Sequence, residues 1–452
     1  MKTGLLLIIV LGVIQTVSVR TDAQTIITAT KTNSADTAVS IDAVRPLLLS
    51  EAVDLALNQA SAFRNSQLAE QIAAEDIKQS KTAFLPRLDA KPNYIFTSPS
   101  FGSTRPRPPS FLGANAINEI QGLVVASGEL DTSGRLKATL ERSRALLASA
   151  HAGTEVARRD LVQGVNDAYF ALALSTAKRR GAESNLMSAD EFEAATKLLL
   201  DAGEVAPVDL VRARLQTAAR RDELEQAKTD ESVNSDGLKL LTGLSFGETV
   251  STVDLLSEIP SDGDIERFSE AAIATRPEFM QFEADAKAAS EDIKIAKAER
   301  RPQLTYSVGA GVITDSLAAS HLRDTTGVQA TVGVTIPLFD WGQAKSRETQ
   351  AKLRLQQTAN AKALAERQFA QAFFSARTQA MSARDRLKQI GAAITDAGSN
   401  LSASTARYRA GEATIIEVTD AQNILIAQKA ALYQALFDYQ TAKSRLMRAA
   451  GK

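Results

Sequence analysis

The sequence predicts a mainly α-helical protein with a transmembrane β portion, built as a tandem repeat. Three observations indicate this fold class: long stretches without proline, two pairs of segments that alternate apolar and polar residues, and an ordered series of matches between the two halves. None of the 12 prolines falls between Pro109 and Pro207, and none follows Pro337. Because a proline in a helix interior costs about 3 kcal/mol, these stretches permit very long helices.

The composition favours close-packed helices and excludes several kinds of protein. Hydrophobic residues make up 44% of the 452 residues but aromatic residues only 5%, and much of the apolar fraction is alanine. The formal net charge is −1, so no global field attracts the chain to nucleic acid. There is no cysteine, and the two histidines lie in no ligand or nucleophile pattern. We therefore expect no enzyme activity, no cofactor and no metal site.

The first 23 residues have the pattern of a secretory signal peptide. Lys2 supplies a positive charge, Gly4 to Ile14 form an apolar core, and Ala23 provides the small residue of a cleavage site. The alternative is a membrane anchor, but the apolar run is interrupted from Gln15 onward and is too short to span a bilayer. We expect residues 1–23 to be a signal peptide and residues 24–47 to be a flexible N-terminal segment.

The two halves of the chain match each other in order. The tetrapeptide Glu-Asp-Ile-Lys at 75–78 recurs at 291–294. Further along, an offset of 208 residues pairs three glycines of the first half with three of the second: Gly134 with Gly342, Gly203 with Gly411, and Gly243 with Gly451. Internal periodicity of this kind indicates a duplicated structural unit. We predict repeat 1 at 48–243, an inter-repeat equatorial segment at 244–267, and repeat 2 at 268–452.

Each repeat is predicted to contain a long helical hairpin. The 68 residues between Gly134 and Gly203 would form a helix of roughly 100 Å at 1.5 Å per residue. Gly203 and Gly411 suit left-handed helix ends. The next helices begin with readable signals, Pro207 at a first helical position and a capping box from Thr414 to Glu417. The hairpin turns should therefore lie near 203–207 and 411–414.

A pair of strands is predicted ahead of each hairpin. In repeat 2, about 303–338, apolar residues such as Leu304, Tyr306 and Val308 alternate with small or polar ones. In repeat 1, about 89–126, the alternation is weaker. Each segment has about the 9–11 residues that a tilted membrane-spanning strand needs. Because four strands cannot close a barrel and lipid does not tolerate open sheet edges, we expect several copies to share one barrel.

The order and spacing of several short motifs resemble the TolC-like outer membrane efflux protein family, also called outer membrane factors. The resemblance covers roughly 48–451. The matching segments are Ser50-Glu51-Ala52-Val53, Ala83-Phe84-Leu85-Pro86-Arg87-Leu88, Arg276-Pro277-Glu278, Ile336-Pro337-Leu338-Phe339-Asp340, Tyr408-Arg409-Ala410-Gly411 and Val418-Thr419-Asp420-Ala421-Gln422.

This resemblance implies a homotrimer with a 12-stranded β-barrel in outer-membrane lipid and a 12-helix periplasmic α-barrel. It further implies a Gram-negative-type cell, a periplasmic adaptor and an inner-membrane RND or ABC pump as partners. The expected function is the outer-membrane channel of a tripartite efflux system for small solutes. One alternative is the duct of a type I protein secretion system. Another is a structural coiled-coil envelope protein, which leaves the strand pairs unexplained.

The resemblance also implies a gate at the periplasmic turns. Glu417 and Asp420 match the constriction carboxylates, while Tyr408 and Asp209 match a gate network joined by a hydrogen bond. Ala413 stands where the compared family member has an arginine, so an arginine latch is not expected. The turn residues implied to meet the adaptor are Gly203, Glu204, Gly411 and Glu412.

Local helix chemistry explains several of these residues without a pore. Glu417 is also the capping-box acid, and Asp209 is an acid in a first helical turn, which the helix dipole favours. The two turn glycines serve as ordinary helix ends. Trp341, the only tryptophan, either joins an aromatic girdle at the membrane interface or begins the helix behind the Asp340 cap.

Overall fold

The structure is a computed structural model that describes residues 46–102, 104–106, 109–112, 116–257 and 263–451. The predicted signal peptide and most of the predicted N-terminal segment lie outside these residues. At the start of the described part, the Leu47 N–H donates to the Ser251 carbonyl at 2.8 Å. The Tyr169 hydroxyl donates to the Leu47 carbonyl at 2.8 Å. Leu47 is therefore held against the inter-repeat segment and the first long helix.

Within the described residues, the regular elements follow the predicted order. In chain order the α-helices and strands are α1 (Leu49–Leu57), α2 (Ala62–Thr82), β1 (Arg87–Phe96), β2 (Asn118–Leu130), α3 (Arg135–Asp201), α4 (Pro207–Thr242), α5 (Pro277–Ala298), β3 (Gln303–Thr314), α6 (Ala319–Asp324), β4 (Thr326–Thr335), α7 (Gln343–Arg409) and α8 (Ile415–Ala449). Two short 3-10 helices, Leu255–Ser257 and Glu270–Thr275, lie between α4 and α5. Both long helices, α3 and α7, have 67 residues, and their starts keep the 208-residue offset of the sequence. The fold is therefore the predicted mainly α tandem repeat with a β portion.

The two long helices begin in the same way. Each follows a glycine in the left-handed region, Gly134 with φ 81° and Gly342 with φ 84°. An aspartate accepts hydrogen bonds from the free N–H groups of each first turn. The Lys137 N–H donates to Asp131 at 2.9 Å, and the Ala344 N–H donates to Asp340 at 2.7 Å. No described helix contains a stretch long and apolar enough to cross a membrane.

The helices form one layer in which α3 and α7 are the longest members. Helix α3 packs against α2 and α4 and also against α5 and α8, and α7 packs against α5 and α8. The order across the layer is therefore α2 and α4, then α3, then α5 and α8, then α7, except near the hairpin turns, where side-chain hydrogen bonds also join α4 to α8. Small residues such as Ala138, Ala145 and Ala380 lie in the contacts, which allows the helix axes to approach closely. Among the described residues, α4 packs mainly against α3, and α7 packs against α5 and α8.

The four strands form one antiparallel sheet in the order β1–β2–β3–β4. Opposite residues, such as Ala90 with Val124, Val124 with Ala310, and Ala310 with Val328, point to the same face. One face of the sheet is almost wholly apolar. Its exceptions, Asn118, Thr314 and Thr326, lie at the end of the sheet away from the long helices. The apolar set is Leu88, Ala90, Pro92, Tyr94, Phe96, Ile120, Gly122, Val124, Ala126, Gly128, Leu130, Leu304, Tyr306, Val308, Ala310, Val312, Val328, Ala330, Val332 and Val334.

The opposite face carries the charged and most of the polar side chains. They are Arg87, Asp89, Lys91, Asn93, Glu119, Gln121, Ser127, Glu129, Gln303, Thr305, Ser307, Gln329, Thr331 and Thr335. Repeat 1 alternates less strictly than repeat 2, because Ile95, Leu123 and Val125 lie on this polar face, where repeat 2 has only one large apolar residue, Ile313. The strands also differ in extent from the predicted segments: β1 and β2 reach from 87 to 130, and β4 ends at Thr335 rather than 338. Pro337 follows that end and has no N–H to continue the ladder.

Candidate functional site

Both helical hairpins turn through the same hydrogen-bond pattern. The Gly203 N–H donates to the Leu200 carbonyl and the Glu204 N–H donates to the Leu199 carbonyl, each at 2.9 Å. Gly411 and Glu412 repeat the pattern at 3.0 and 2.9 Å. With φ of 79° and 76°, the two glycines adopt the left-handed conformation that this helix ending requires. The four turn residues lie at the predicted turns, and their backbone groups close the helices.

Glu417 lies in the first turn of α8 and is held from two sides. Its carboxylate accepts from the Thr414 N–H at 3.5 Å, as a capping-box acid does. The same carboxylate lies 3.3 Å from the Arg407 guanidinium, which also donates to the Glu412 carbonyl at 3.3 Å. Arg407 therefore ties the end of α7 to the turn and to the start of α8.

Sequence reasoning missed Arg407 because it looked for an arginine only at position 413. In the structure, a guanidinium reaches Glu417 from the last turn of α7, ten residues earlier in the chain. A helix C-terminus favours a cation and a helix N-terminus favours an acid, so the two side chains meet across the turn. The sequence signal for such a pair is a basic residue in the last turn of one predicted helix, followed by a capping-box acid in the first turn of the next helix.

The predicted hydrogen bond between Tyr408 and Asp209 does not form. Among the described residues, the buried Tyr408 hydroxyl has no hydrogen-bond partner, and its ring centroid lies 6.1 Å from that of Phe192. Burial raises the pKa of the Tyr408 hydroxyl, the charge of Asp209 adds to that rise, and the nearby Thr196 side chain, which does not reach hydrogen-bond geometry, opposes it. The Asp209 carboxylate lies 3.8 Å from Arg212, one turn along α4. Asp209 therefore acts on Tyr408 only through its charge, and it forms its ion pair with Arg212.

A cleft of about 490 Å³ lies between the two turns. Its lining includes Glu204, Asp209, Tyr408 and Gly411, so the structure brings these four predicted residues together. Glu417 is not part of this lining. Asp420 is exposed one turn further along α8, and within the described part of the chain no ion pair involves it.

Polar side chains also join the two hairpins between α4 and α8. Gln216 donates to Gln422 at 3.0 Å, and Thr419 donates to Gln216 at 3.5 Å. Arg220 donates to Asn423. These residues were not predicted, because polar side chains on a helix surface have no periodic signal that separates a contact from solvation.

Trp341 lies where β4 leads into α7. Its backbone is left-handed, with φ of 53°, and its side chain is 90% exposed. The ring packs edge-on against Phe339 with 4.7 Å between centroids. Since α7 begins at Gln343, Trp341 does not begin the helix. It lies at the end of the sheet nearest the helices, and a role at the membrane interface stays a prediction.

Comparison with known proteins identifies relatives over most of the chain. The family model described as "Outer membrane efflux protein" matches residues 52–244 and 268–452. The outer membrane efflux protein BepC of Brucella suis is 24% identical over 270 residues, 60% of this chain and 58% of that protein. The cation efflux system protein CusC of Escherichia coli K12 is 26% identical over 340 residues, 72% of this chain and 71% of that protein. The chain thus matches less than two thirds of the length of BepC.

Two solved channels have the same fold. The crystal structure of CusC has a TM-score of 0.78 at 21% identity, covering 89% of this chain and 92% of that one. The Campylobacter jejuni CmeC outer membrane channel has a TM-score of 0.80 at 17% identity, covering 89% and 85%. The family model matches both repeats in order and is interrupted only at the segment between them. The chain therefore belongs to the outer membrane efflux protein family.

Proposed function

We propose that three copies of the chain form an outer-membrane channel that exports small solutes delivered by a periplasmic adaptor and an inner-membrane pump. The observation that carries this proposal is the sheet, which has one apolar face, one polar face and two open edges. Within the described residues, β1 pairs only with β2, and β4 pairs only with β3.

The two faces of the sheet match the two surroundings of a barrel wall. Side chains of the apolar face are strongly exposed in the single chain, including Leu88 at 71%, Val328 at 75% and Val332 at 72%. In water such a face is costly, whereas hydrocarbon stabilises it. The unpaired N–H and C=O groups of β1 and β4 need partners in lipid, and a second copy supplies them by pairing β4 with the next β1.

The helical part supplies the length of the duct. The 67 residues of α3 and of α7 correspond to roughly 100 Å of helix. That is about three times the hydrocarbon thickness of a bilayer, so the hairpins extend far beyond the membrane. The printed names of relatives, cation efflux for CusC and pyoverdine export for OpmQ of Pseudomonas putida, favour small solutes and ions as cargo.

The hairpin turns are the proposed gate. Three copies of Asp420 would place a ring of exposed carboxylates there, favouring cations over anions. Glu417 contributes less charge to this ring because Arg407 lies 3.3 Å away. The turn residues Gly203, Glu204, Gly411 and Glu412 are the proposed contact with the adaptor, and Trp341 is proposed to lie at the membrane interface.

The experiment compares two neighbouring substitutions on β3. Val308→Arg puts a charge on the apolar face, which should cost about 2–4 kcal/mol in the bilayer. Ser307→Arg puts the same charge on the polar face and serves as the matched control. We expect the wild type and Ser307→Arg to fractionate with the outer membrane as trimers and to conduct ions in planar bilayers. We expect Val308→Arg to be depleted from the outer-membrane fraction. A soluble monomer, or equal tolerance of both substitutions, would overturn the proposal.

A further inference from the structure

Helix α8 keeps a seven-residue repeat from its first turn to its last. Its buried apolar residues fit alternating steps of three and four, and they include Val418, Ala421, Ala435, Tyr439, Ala442, Leu446 and Ala449. In such a helix, residues that are a multiple of seven apart lie on the same face. Arg448 follows Asp420 by 28 residues, and Arg445 follows Glu417 by 28 residues. The two arginines therefore share a face of α8 with the two proposed constriction acids.

The segment between the repeats covers the other side of α8. Lys443 donates to Asp264 of this segment at 2.7 Å, and Phe268 of the same segment is buried in one cluster with Tyr439. Residues 443 and 445 are about 200° apart around a helix of 3.6 residues per turn. Arg445 therefore lies on the side of the layer away from the inter-repeat segment.

On that side, Arg445 and Arg448 line a cavity of about 570 Å³ between α3, α7, α8 and the start of α5. The same lining contains a third guanidinium and three side-chain amides, from Arg276, Gln163, Gln368 and Gln379. Glu278 is the carboxylate among these lining residues, and it already accepts from Arg276 at 3.1 Å. Guanidinium groups bind carboxylates and phosphates through charge-assisted hydrogen bonds, so the lining suits an anion.

Arg445 is the cation of this lining whose charge is not taken up by an ion pair. Arg448 forms an ion pair with Asp160 at 2.5 Å. Arg445 is exposed, and in the part of the chain that the structure describes it takes part in no ion pair. Burial raises the pKa of Asp167, against the charges of Arg445 and Arg448 and the nearby Gln163 side chain. Asp167 therefore feels the field of Arg445 without reaching ion-pair distance.

The first repeat shows that the fold does not require these two arginines. By the 208-residue offset, Gly237 and Leu240 of α4 correspond to Arg445 and Arg448 of α8. Helices α4 and α8 have nearly the same length, 36 and 35 residues. A helix of this kind therefore forms with or without cations at these positions, which favours a role in binding for the arginines of repeat 2.

We infer that Arg445, assisted by Arg448 and Arg276, forms a binding site inside the duct for solutes that carry several carboxylate or phosphate groups. This inference rests on the proposed channel and gives it a substrate class. Three copies of Arg445 form a ring of cations, and such rings favour anions. The 28 residues from Asp420 to Arg448 place this ring about 40 Å from the ring of Asp420. The duct then carries two filters of opposite sign.

Block of the current through trimers in planar bilayers tests the site, with citrate and pyrophosphate as the two probes. The half-blocking concentration of at least one probe should rise about fivefold or more in Arg445→Gln, because the trimer loses three charges at once. Arg445→Lys keeps the charge and should keep the block. Lys429→Gln is the matched control: Lys429 is exposed and lies on the face of Lys443, fourteen residues away and opposite the cavity.

The comparison of the two probes shows whether carboxylates or phosphates are preferred. If the wild type conducts but neither probe blocks it, or if block is the same in Arg445→Gln, this site is wrong and the channel proposal stands. Equal weakening of block in Lys429→Gln would also overturn the site, because it would reflect net charge alone. If the wild type forms no conducting trimer, the channel proposal fails and the site fails with it.

Discussion

Arg407, in the last turn of α7, forms an ion pair with Glu417, in the first turn of α8, with 3.3 Å between Nη1 and Oε2. The two side chains are about half exposed, so the pair is worth at most about 1 kcal/mol for stability. Its larger consequence is electrostatic, because it offsets the charge of one of the two proposed constriction acids. The neighbouring acid Asp420 has no such partner within the described residues.

The first prediction concerns ion selectivity. We expect Asp420→Asn to lower the cation preference of the channel more than Glu417→Gln does, because only the Asp420 charge is unopposed. The measurement is the reversal potential in planar bilayers under a salt gradient. Equal effects of the two substitutions would show that Arg407 does not shield Glu417 in the assembled channel.

The second prediction concerns Arg407, whose removal should raise the cation preference where the substitutions above lower it. Arg407→Gln removes the cation beside Glu417 and should increase the cation preference, because each copy then carries one more uncompensated carboxylate. Arg407→Lys keeps the charge and is the control. The increase should disappear in the double variant Arg407→Gln with Glu417→Gln, and its persistence there would assign the effect to another acid.

The third prediction compares the buried hydroxyl of the half-buried Tyr408 with the hydroxyl of the buried Tyr169. The Tyr408 hydroxyl has no hydrogen-bond partner among the described residues, so Tyr408→Phe should stabilise the protein by about 1 kcal/mol. The Tyr169 hydroxyl donates to the Leu47 carbonyl at 2.8 Å and accepts from the Val253 N–H at 3.1 Å. Tyr169→Phe should therefore destabilise it by about 1–3 kcal/mol. Thermal unfolding followed by circular dichroism measures both, and a loss of stability in Tyr408→Phe would point to a gate hydrogen bond in the assembled protein.

The fourth prediction concerns acid stability. Arg276 is 4% exposed, lies 3.9 Å from the Phe369 ring centroid and donates to Glu278 at 3.1 Å. Burial by itself would raise the pKa of Glu278, but hydrogen bonds from Arg276 and from the backbone, together with the charges of Arg276 and Arg159, outweigh it and hold that pKa below its usual value. A carboxylate with a lowered pKa stabilises the fold above its unfolded pKa, about 4.3, and this stabilisation is lost as the pH falls through the folded pKa.

We therefore expect the thermal midpoint of the wild type to fall between pH 5 and pH 3. Glu278→Gln should lower the thermal midpoint at pH 7, because it leaves the buried Arg276 without its charged partner. The corresponding loss in the free energy of unfolding is about 3–5 kcal/mol. The same variant should show a shallower fall below pH 5. Glu283→Gln is the control, since its pair with Lys362 is mostly exposed on the Glu283 side. An unchanged pH profile in Glu278→Gln would remove this pair as a source of acid sensitivity.

Sequence reasoning predicted the fold class well because its signals are local. The absence of proline permits α3 and α7, and Gly203 and Gly411 end them through a conformation that glycine adopts without strain. Alternation with a period of two predicted the strands, and the matching glycines predicted the duplication. Each of these signals depends on the chemistry of a few neighbouring residues, so it can be recognised in the sequence without knowledge of tertiary contacts.

The tertiary structure decided which residues and which helices contact one another. The apolar face of β1 and β2 appeared only with the register, because Ile95, Leu123 and Val125 lie on the polar face and weaken the alternation in the sequence. The Arg407–Glu417 pair joins residues on opposite sides of a turn, and the α3–α8 contact joins the two repeats. Periodicity tells which side of a helix is apolar, but not which neighbour covers it, since that depends on packing between distant segments. For this chain, local chemistry determined the elements, and packing decided the contacts at the hairpin turns and between the two repeats.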